Sequence, residues 1–195
     1  MSDIVFRKGE HVLLRPFERA DLPTLRRWMN DPEVTQYLLR PFPITERVEE
    51  EWHDALDKDK NNFALGIVDI ETSKLVGSIG LHNINWQQRT ATTGTVLGEK
   101  EYWGKGYGTE AKMLLLDFAF NALDLYGVVS RVIAFNERSL NYGKKCGYEE
   151  IGRLPKWIRR QNGERCDEVI LCATQEKWRP LWEAYLKGRK SPEVK

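Results

Sequence analysis

The stretch Val96-Leu97-Gly98-Glu99-Lys100-Glu101-Tyr102-Trp103-Gly104-Lys105-Gly106-Tyr107-Gly108-Thr109-Glu110-Ala111 carries the densest chemical signal in this 195-residue chain. A strand pattern runs into glycines at alternate positions, Gly104, Gly106 and Gly108, which open a helix. Such a turn aims unpaired backbone N–H groups and the positive end of the helix dipole at one place. A side chain at these positions would block the approach of an anion or forbid the backbone angles required. A phosphate is the natural occupant. The turn follows an antiparallel meander, and its spacing differs from the dinucleotide fingerprint with its acidic residue about 20 positions on. Gly-Lys-Ser/Thr is absent, so a Walker loop is excluded.

Two further segments hold residues of the right types. Asn136-x-x-Ser139 is followed by Lys145-x-Gly147-Tyr148, and Arg160-Gln161-Asn162-Gly163 runs on to Asp167. With Tyr102 through Ala111, these segments resemble the GNAT N-acetyltransferase superfamily, and within it the Rim-type and spermidine acetyltransferases. The resemblance covers about Val12 to Trp178. It implies an α+β fold: a mixed, mostly antiparallel central sheet of about 6–7 strands with a splayed strand pair, flanked by about 4–5 helices. It implies acetyl-CoA as cosubstrate, no metal, and acetyl transfer to a primary amine. A peptide or protein N-terminus, a small amine, a polyamine and an aminoglycoside all stay open as acceptors.

The resemblance also implies where the coenzyme lies. Its diphosphate would rest on Trp103, Gly104, Lys105, Gly106, Tyr107, Gly108 and Thr109. Its pantetheine arm would enter the gap between the strand ending at Leu97-Gly98 and Val132–Phe135, pairing with backbone groups of Val96 and Gly98. The Asn136 amide would bond the arm, or cap the next helix. Ser139 could donate to the departing thiolate, or bond its own backbone.

The acid and base are less regular. The tyrosine common in the family falls on Gly143, with Tyr142 one residue early, and one residue on a helix swings a side chain by about 100°. Tyr142 is the candidate acid if the helix shifts. Thr92 occupies the strand position where the family often has glutamate. His82 and Glu33 are the remaining candidates for base or for positioning the amine, directly or through water. A catalytically weak coenzyme A sensor is the alternative that these departures leave open.

These residues need elements to hold them. Strands are expected at His11–Phe17, Phe63–Val68, Leu75–Leu81, Thr90–Leu97, Val128–Phe135, Tyr148–Ile158 and Glu168–Ala173. Helices are expected from Asp21, as N-cap, to Met29, where Asp31-Pro32 stops the chain, and from Thr45, as cap, to about Asp57. Others are expected at Gly106–Leu123, with an apolar stripe of Ala111, Leu114, Leu115, Phe118, Ala119 and Leu123, at Ser139–Cys146 and at Trp178–Leu186. The acceptor cleft is expected between the Pro32–Phe42 loop and the Lys156–Gly163 hairpin.

Composition bounds the setting. With no repeat or linker and 41% hydrophobic residues, one domain over residues 1–195 is expected, its core at about 10–180 and residues 187–195 a flexible tail. Charges nearly cancel, 30 Lys+Arg against 29 Asp+Glu, and the basic clusters at Arg159-Arg160 and Lys187–Lys190 are short, so no nucleic-acid partner is expected. Three cysteines without metal-ligand spacing suggest reduced thiols. No apolar run approaches membrane length, so a cytoplasmic protein without membrane partners is expected. Monomer or homodimer is left open.

Overall fold

The computed structural model describes residues 4–38, 42–56, 58–160 and 162–188. Eight strands form one mixed sheet: β1 (Arg7–Lys8), β2 (Val12–Pro16), β3 (Phe63–Asp69), β4 (Leu75–Asn85), β5 (Thr90–Leu97), β6 (Gly127–Ile133), β7 (Glu149–Arg159) and β8 (Arg165–Thr174). Six α-helices accompany them: α1 (Leu22–Met29), α2 (Pro32–Thr35), α3 (Glu46–Leu56), α4 (Tyr107–Asp117), α5 (Glu137–Lys145) and α6 (Gln175–Gly188). The spatial order is β1-β2-β3-β4-β5-β6-β8-β7. Short turns make β2 to β5 an antiparallel meander, whereas β5 and β6, separated by α4, run parallel.

Strand alternation builds two cores. Ile67 and Val76 face α4 and α6 in the larger cluster, while their neighbours Val68 and Leu75 face Leu22, Leu25 and Trp28 of α1 on the opposite side. Helix α4 is buried continuously from Glu110 to Leu116, because strands, α5 and α6 surround it. Burial of Leu114, Leu115 and Leu116 contributes about 1.5–3 kcal/mol each.

Several local expectations change. The sheet gains β1, the helix after the glycine turn leaves α geometry at Phe118 for a π turn over Phe118–Ala122, and Asp31 both stops α1 and caps α2, accepting from Glu33 N–H at 2.9 Å. Asp21 stands at the α1 N-cap, yet its carboxylate binds Arg15 at 2.7 and 2.8 Å and the Glu18 N–H at 2.8 Å. Thr45 caps α3 through the Val48 N–H at 3.4 Å. Asp57, Gln161 and residues 189–195, and with them most of the expected tail, lie outside the described residues. Among the described residues no helix is long and apolar enough to cross a membrane.

Candidate active site

Strands β5 and β6 pair at three positions, Thr90↔Gly127, Ala91↔Val128 and Thr92↔Val129, and then diverge. From Thr93 onward β5 keeps only β4, while β6 stays paired with β8 along its length. The result is a wedge between the strands, closed at Thr92 and open toward Leu97 and Ile133.

Ladder geometry decides which backbone groups enter the wedge. The Gly98 N–H donates to Val76 O at 3.0 Å, so Gly98, and by alternation Val96, turn their backbone groups toward β4. Thr95 and Leu97 turn theirs toward the wedge, whereas the expectation had Val96 and Gly98 offering the pairing groups. Leu97 O already accepts from Trp103 Nε1 at 2.7 Å. Gly98 has another duty. A methyl there would lie 1.9 Å from the Trp28 ring, so the glycine admits α1 beneath the strand end.

At the open end the chain forms the glycine turn. Gly104 and Gly106 have φ of +76° and +91°, and nothing lies within 4 Å of where a side chain would start. The backbone angle requires glycine at both, and the space beside them is free for a ligand. Gly108 is different, since a methyl there would meet only Leu97 at ordinary contact, 3.6 Å. Buried Asp69 anchors the turn from both sides, accepting from Tyr102 Oη at 3.2 Å, Tyr107 Oη at 3.0 Å and Thr72 Oγ1 at 2.5 Å. Burial, with the Asp69 bond, pushes the Tyr107 phenol up to about 12. Buried Glu99 ties the strand end to α1 through Arg27 and Trp28 Nε1 (2.9 Å), and to Lys74 at 3.1 Å. Burial alone would raise its carboxyl, yet those donors hold it below the usual range.

Aromatic rings bridge the lips of the wedge. Tyr37, which follows α2, lies 6.3 Å from Trp103 beyond β5 and 5.7 Å from Phe135 beyond β6. Arg138 of α5 stacks 4.2 Å over Trp103 and 5.1 Å over Tyr37, and Arg160 sits 4.3 Å over Phe135. The Tyr37 loop and the late hairpin thus meet at this mouth.

The candidate catalytic residues divide. Tyr142 of α5 lies between Ser139, one turn before it, and Thr95 of β5, whose buried hydroxyl makes no full hydrogen bond among the described residues. Burial pushes the Tyr142 phenol up to about 12, with the Thr95 and Ser139 hydroxyls pulling the other way. Asn136 caps α5, its Oδ1 accepting from Ser139 N–H at 3.2 Å. On the opposite face His82 covers Gly94, just past the closed end of the wedge, with Nε2 3.5 Å from where a side chain there would start. Burial, then the charge of Lys112, lowers its pKa, so the ring is neutral at physiological pH. Glu33 is drawn aside, paired with Lys100, which also meets Asp31 at 3.2 Å. Lys105 is exposed at the turn's tip.

Sequence reasoning passed over Thr95, Asp69, Arg138 and Lys112. Lys112 alone had a legible signal, since its i+3 and i+4 neighbours are Leu115 and Leu116, which puts it on the core face.

A wedge between parallel strands, with a left-handed glycine turn and a helix N-terminus at its mouth, has the shape and the backbone donors that an extended ligand ending in phosphates requires. The model of the acetyltransferase (GNAT) domain family matches residues 11–149, and the chain belongs to that family. It is therefore an acetyl-CoA-dependent N-acetyltransferase. An uncharacterized N-acetyltransferase, p20, of Bacillus licheniformis is 29% identical over 150 residues, 74% of this chain and 83% of that protein. The spermidine N(1)-acetyltransferase of Escherichia coli (strain K12) is 27% identical over 169 residues, 86% and 88% of the two chains. Among solved structures, spermidine N-acetyltransferase from Vibrio cholerae in complex with CoA and spermine superposes with a TM-score of 0.80 at 24% identity, over 87% of this chain and 99% of that one.

Proposed function

We propose that this enzyme acetylates a peptide end, or a small mono-amine, that carries a carboxylate near its amine. The observation that carries the reading is the pair of arginines at the mouth, Arg138 over Tyr37 and Trp103 and Arg160 over Phe135. Ring faces that could hold a second ammonium already hold guanidinium groups. A polyamine's distal charges would meet like charge there, whereas a carboxylate would meet forked donors. Arg138 has no ion-pair partner among the described residues, and Arg160 shares Glu164 at 3.1 Å. Spermidine is the second reading, favoured by the substrate named for relatives of this chain.

In this reading the diphosphate lies on Trp103–Thr109, and the pantetheine arm meets the backbone of Thr95 and Leu97 with the Asn136 amide opposite. Neutral His82 takes the proton of the attacking amine, directly or through water. Nitrogen bonds the acetyl carbonyl carbon, the carbon–sulfur bond breaks, and the thiolate takes a proton from Tyr142, with Ser139 donating beside it. Positioning in the wedge supplies much of the rate.

Thiol release from acetyl-CoA with short peptides and with spermidine, at low and moderate salt, tests the acceptor. The peptide should exceed spermidine in kcat/KM by about tenfold, and Arg138→Gln should erase most of that margin. A clear preference for spermidine overturns the reading.

A further inference from the structure

Lys112 is an amine that the transfer chemistry above does not use. It lies on α4, 1% exposed, and donates to Thr93 Oγ1 at 2.8 Å. Among the described residues no carboxylate oxygen lies within 4.0 Å of it. From α5 and the chain after it, the Tyr142 and Tyr148 rings stand 5.9 and 5.8 Å away, with the Cys146 thiol close by. None of these offers a negative charge near neutral pH. Burial pushes Tyr142 and Cys146 up to about 12 and Tyr148 well above the usual phenol range. A lysine buried without a counter-charge destabilises the folded chain, and its retention calls for a compensating role.

Its place supplies one. Thr93 and Gly94 are the first residues of β5 past the closed end of the wedge, and as neighbours they face opposite sides of the sheet. The Lys112 amine holds Thr93 on one side, and the His82 ring lies over bare Gly94 on the other. Only the strand itself separates them. We propose that Lys112 is a positioning residue whose charge, acting across β5, keeps His82 in its proton-accepting form during acetyl transfer.

The inference rests on His82 as the base, and the two can fail separately. An ammonium across the strand disfavours a second positive charge on the imidazole. Among the described residues Lys112 is the charged group acting on His82, and burial brings its own pKa down to about 7, so it is charged over the range where the histidine titrates. Residues His11, His53 and His82 are the only histidines, so each imidazole can be followed by NMR through a pH titration of the full chain. In Lys112→Met the His82 midpoint should rise by at least about half a pH unit, and the acid limb of kcat/KM should move with it. Lys112→Gln, which keeps a donor for Thr93, should give the same shift. An unmoved midpoint in either variant overturns the proposal. A shifted midpoint with an unmoved kinetic limb leaves the coupling standing and removes His82 as the base.

Discussion

Tyr142 shares one face of α5 with Ser139 and approaches Thr95, whose buried hydroxyl makes no full hydrogen bond among the described residues. That convergence offsets the one-residue displacement from the family's tyrosine position, because the phenol reaches the strand on the wedge's edge from the neighbouring helix position. Tyr142→Phe should lower kcat by at least about tenfold while the KM for acetyl-CoA stays within about twofold. A kcat equal to that of the wild type would remove Tyr142 from the reaction. Lys112 makes a separate prediction about stability. Its folded pKa, about 7, lies below the ordinary value of 10.5, so the unfolded chain binds more protons between those limits. The destabilisation is full below pH 7 and fades as pH rises toward 10.5. Lys112→Met should therefore be more stable to unfolding than the wild type, by up to on the order of 5 kcal/mol at pH 6, with the gap shrinking through pH 7–10. A gap independent of pH would mean that packing, not charge, sets the difference.

At the scale of elements, the turn before α4 separates two uses of glycine. Gly104 and Gly106 need their left-handed angles, whereas Gly108 could carry a methyl against Leu97 without strain. Gly108→Ala should keep the wild-type melting temperature or exceed it, since its methyl meets Leu97 at ordinary contact, yet weaken acetyl-CoA binding if the diphosphate rests on this turn. Gly106→Val should lose affinity and stability together. Calorimetry beside thermal melts checks both, and full affinity in Gly108→Ala would move the diphosphate off this turn. The turn and α4 were legible in sequence because alternate glycines and an apolar stripe are local signals. Strand β1, with only Arg7 and Lys8, and α2, spanning Pro32–Thr35, are too short to carry periodicity. Asp69 falls just past the strand expected at Phe63–Val68, and nothing local announces that Tyr102 and Tyr107 fold back onto it. The direction of the β5 backbone groups was invisible for a related reason, since it depends on the Gly98 N–H reaching the Val76 carbonyl of the neighbouring strand.

Across the whole molecule, the order of strands was legible wherever turns are short, and the splay was legible through the family resemblance alone, since no residue pattern marks where pairing stops at Thr92↔Val129. That stop has a mechanical meaning. Within the sheet, β1 to β5 and the β6-β8-β7 block are joined by the ladder from Thr90 to Thr92, and outside it they meet through α4, α5 and α6, through Arg89 with Tyr126 and Asp124, and through Tyr37 at the mouth. The molecule is thus two plates with a short seam, and its backbone amides should report it. Those of Thr95 and Leu97, aimed into the gap, should exchange with solvent far faster than their neighbours Val96 and Gly98, which are held by β4. Acetyl-CoA at about a hundredfold over its Kd adds about 2.7 kcal/mol to global stability by mass action. Hydrogen exchange should show a larger local gain at Thr95 and Leu97 if the pantetheine arm continues the ladder that β6 abandons. If the coenzyme lies in this seam, it fastens the two plates to each other where the sheet itself does not, and the protection it adds should extend to both of its banks.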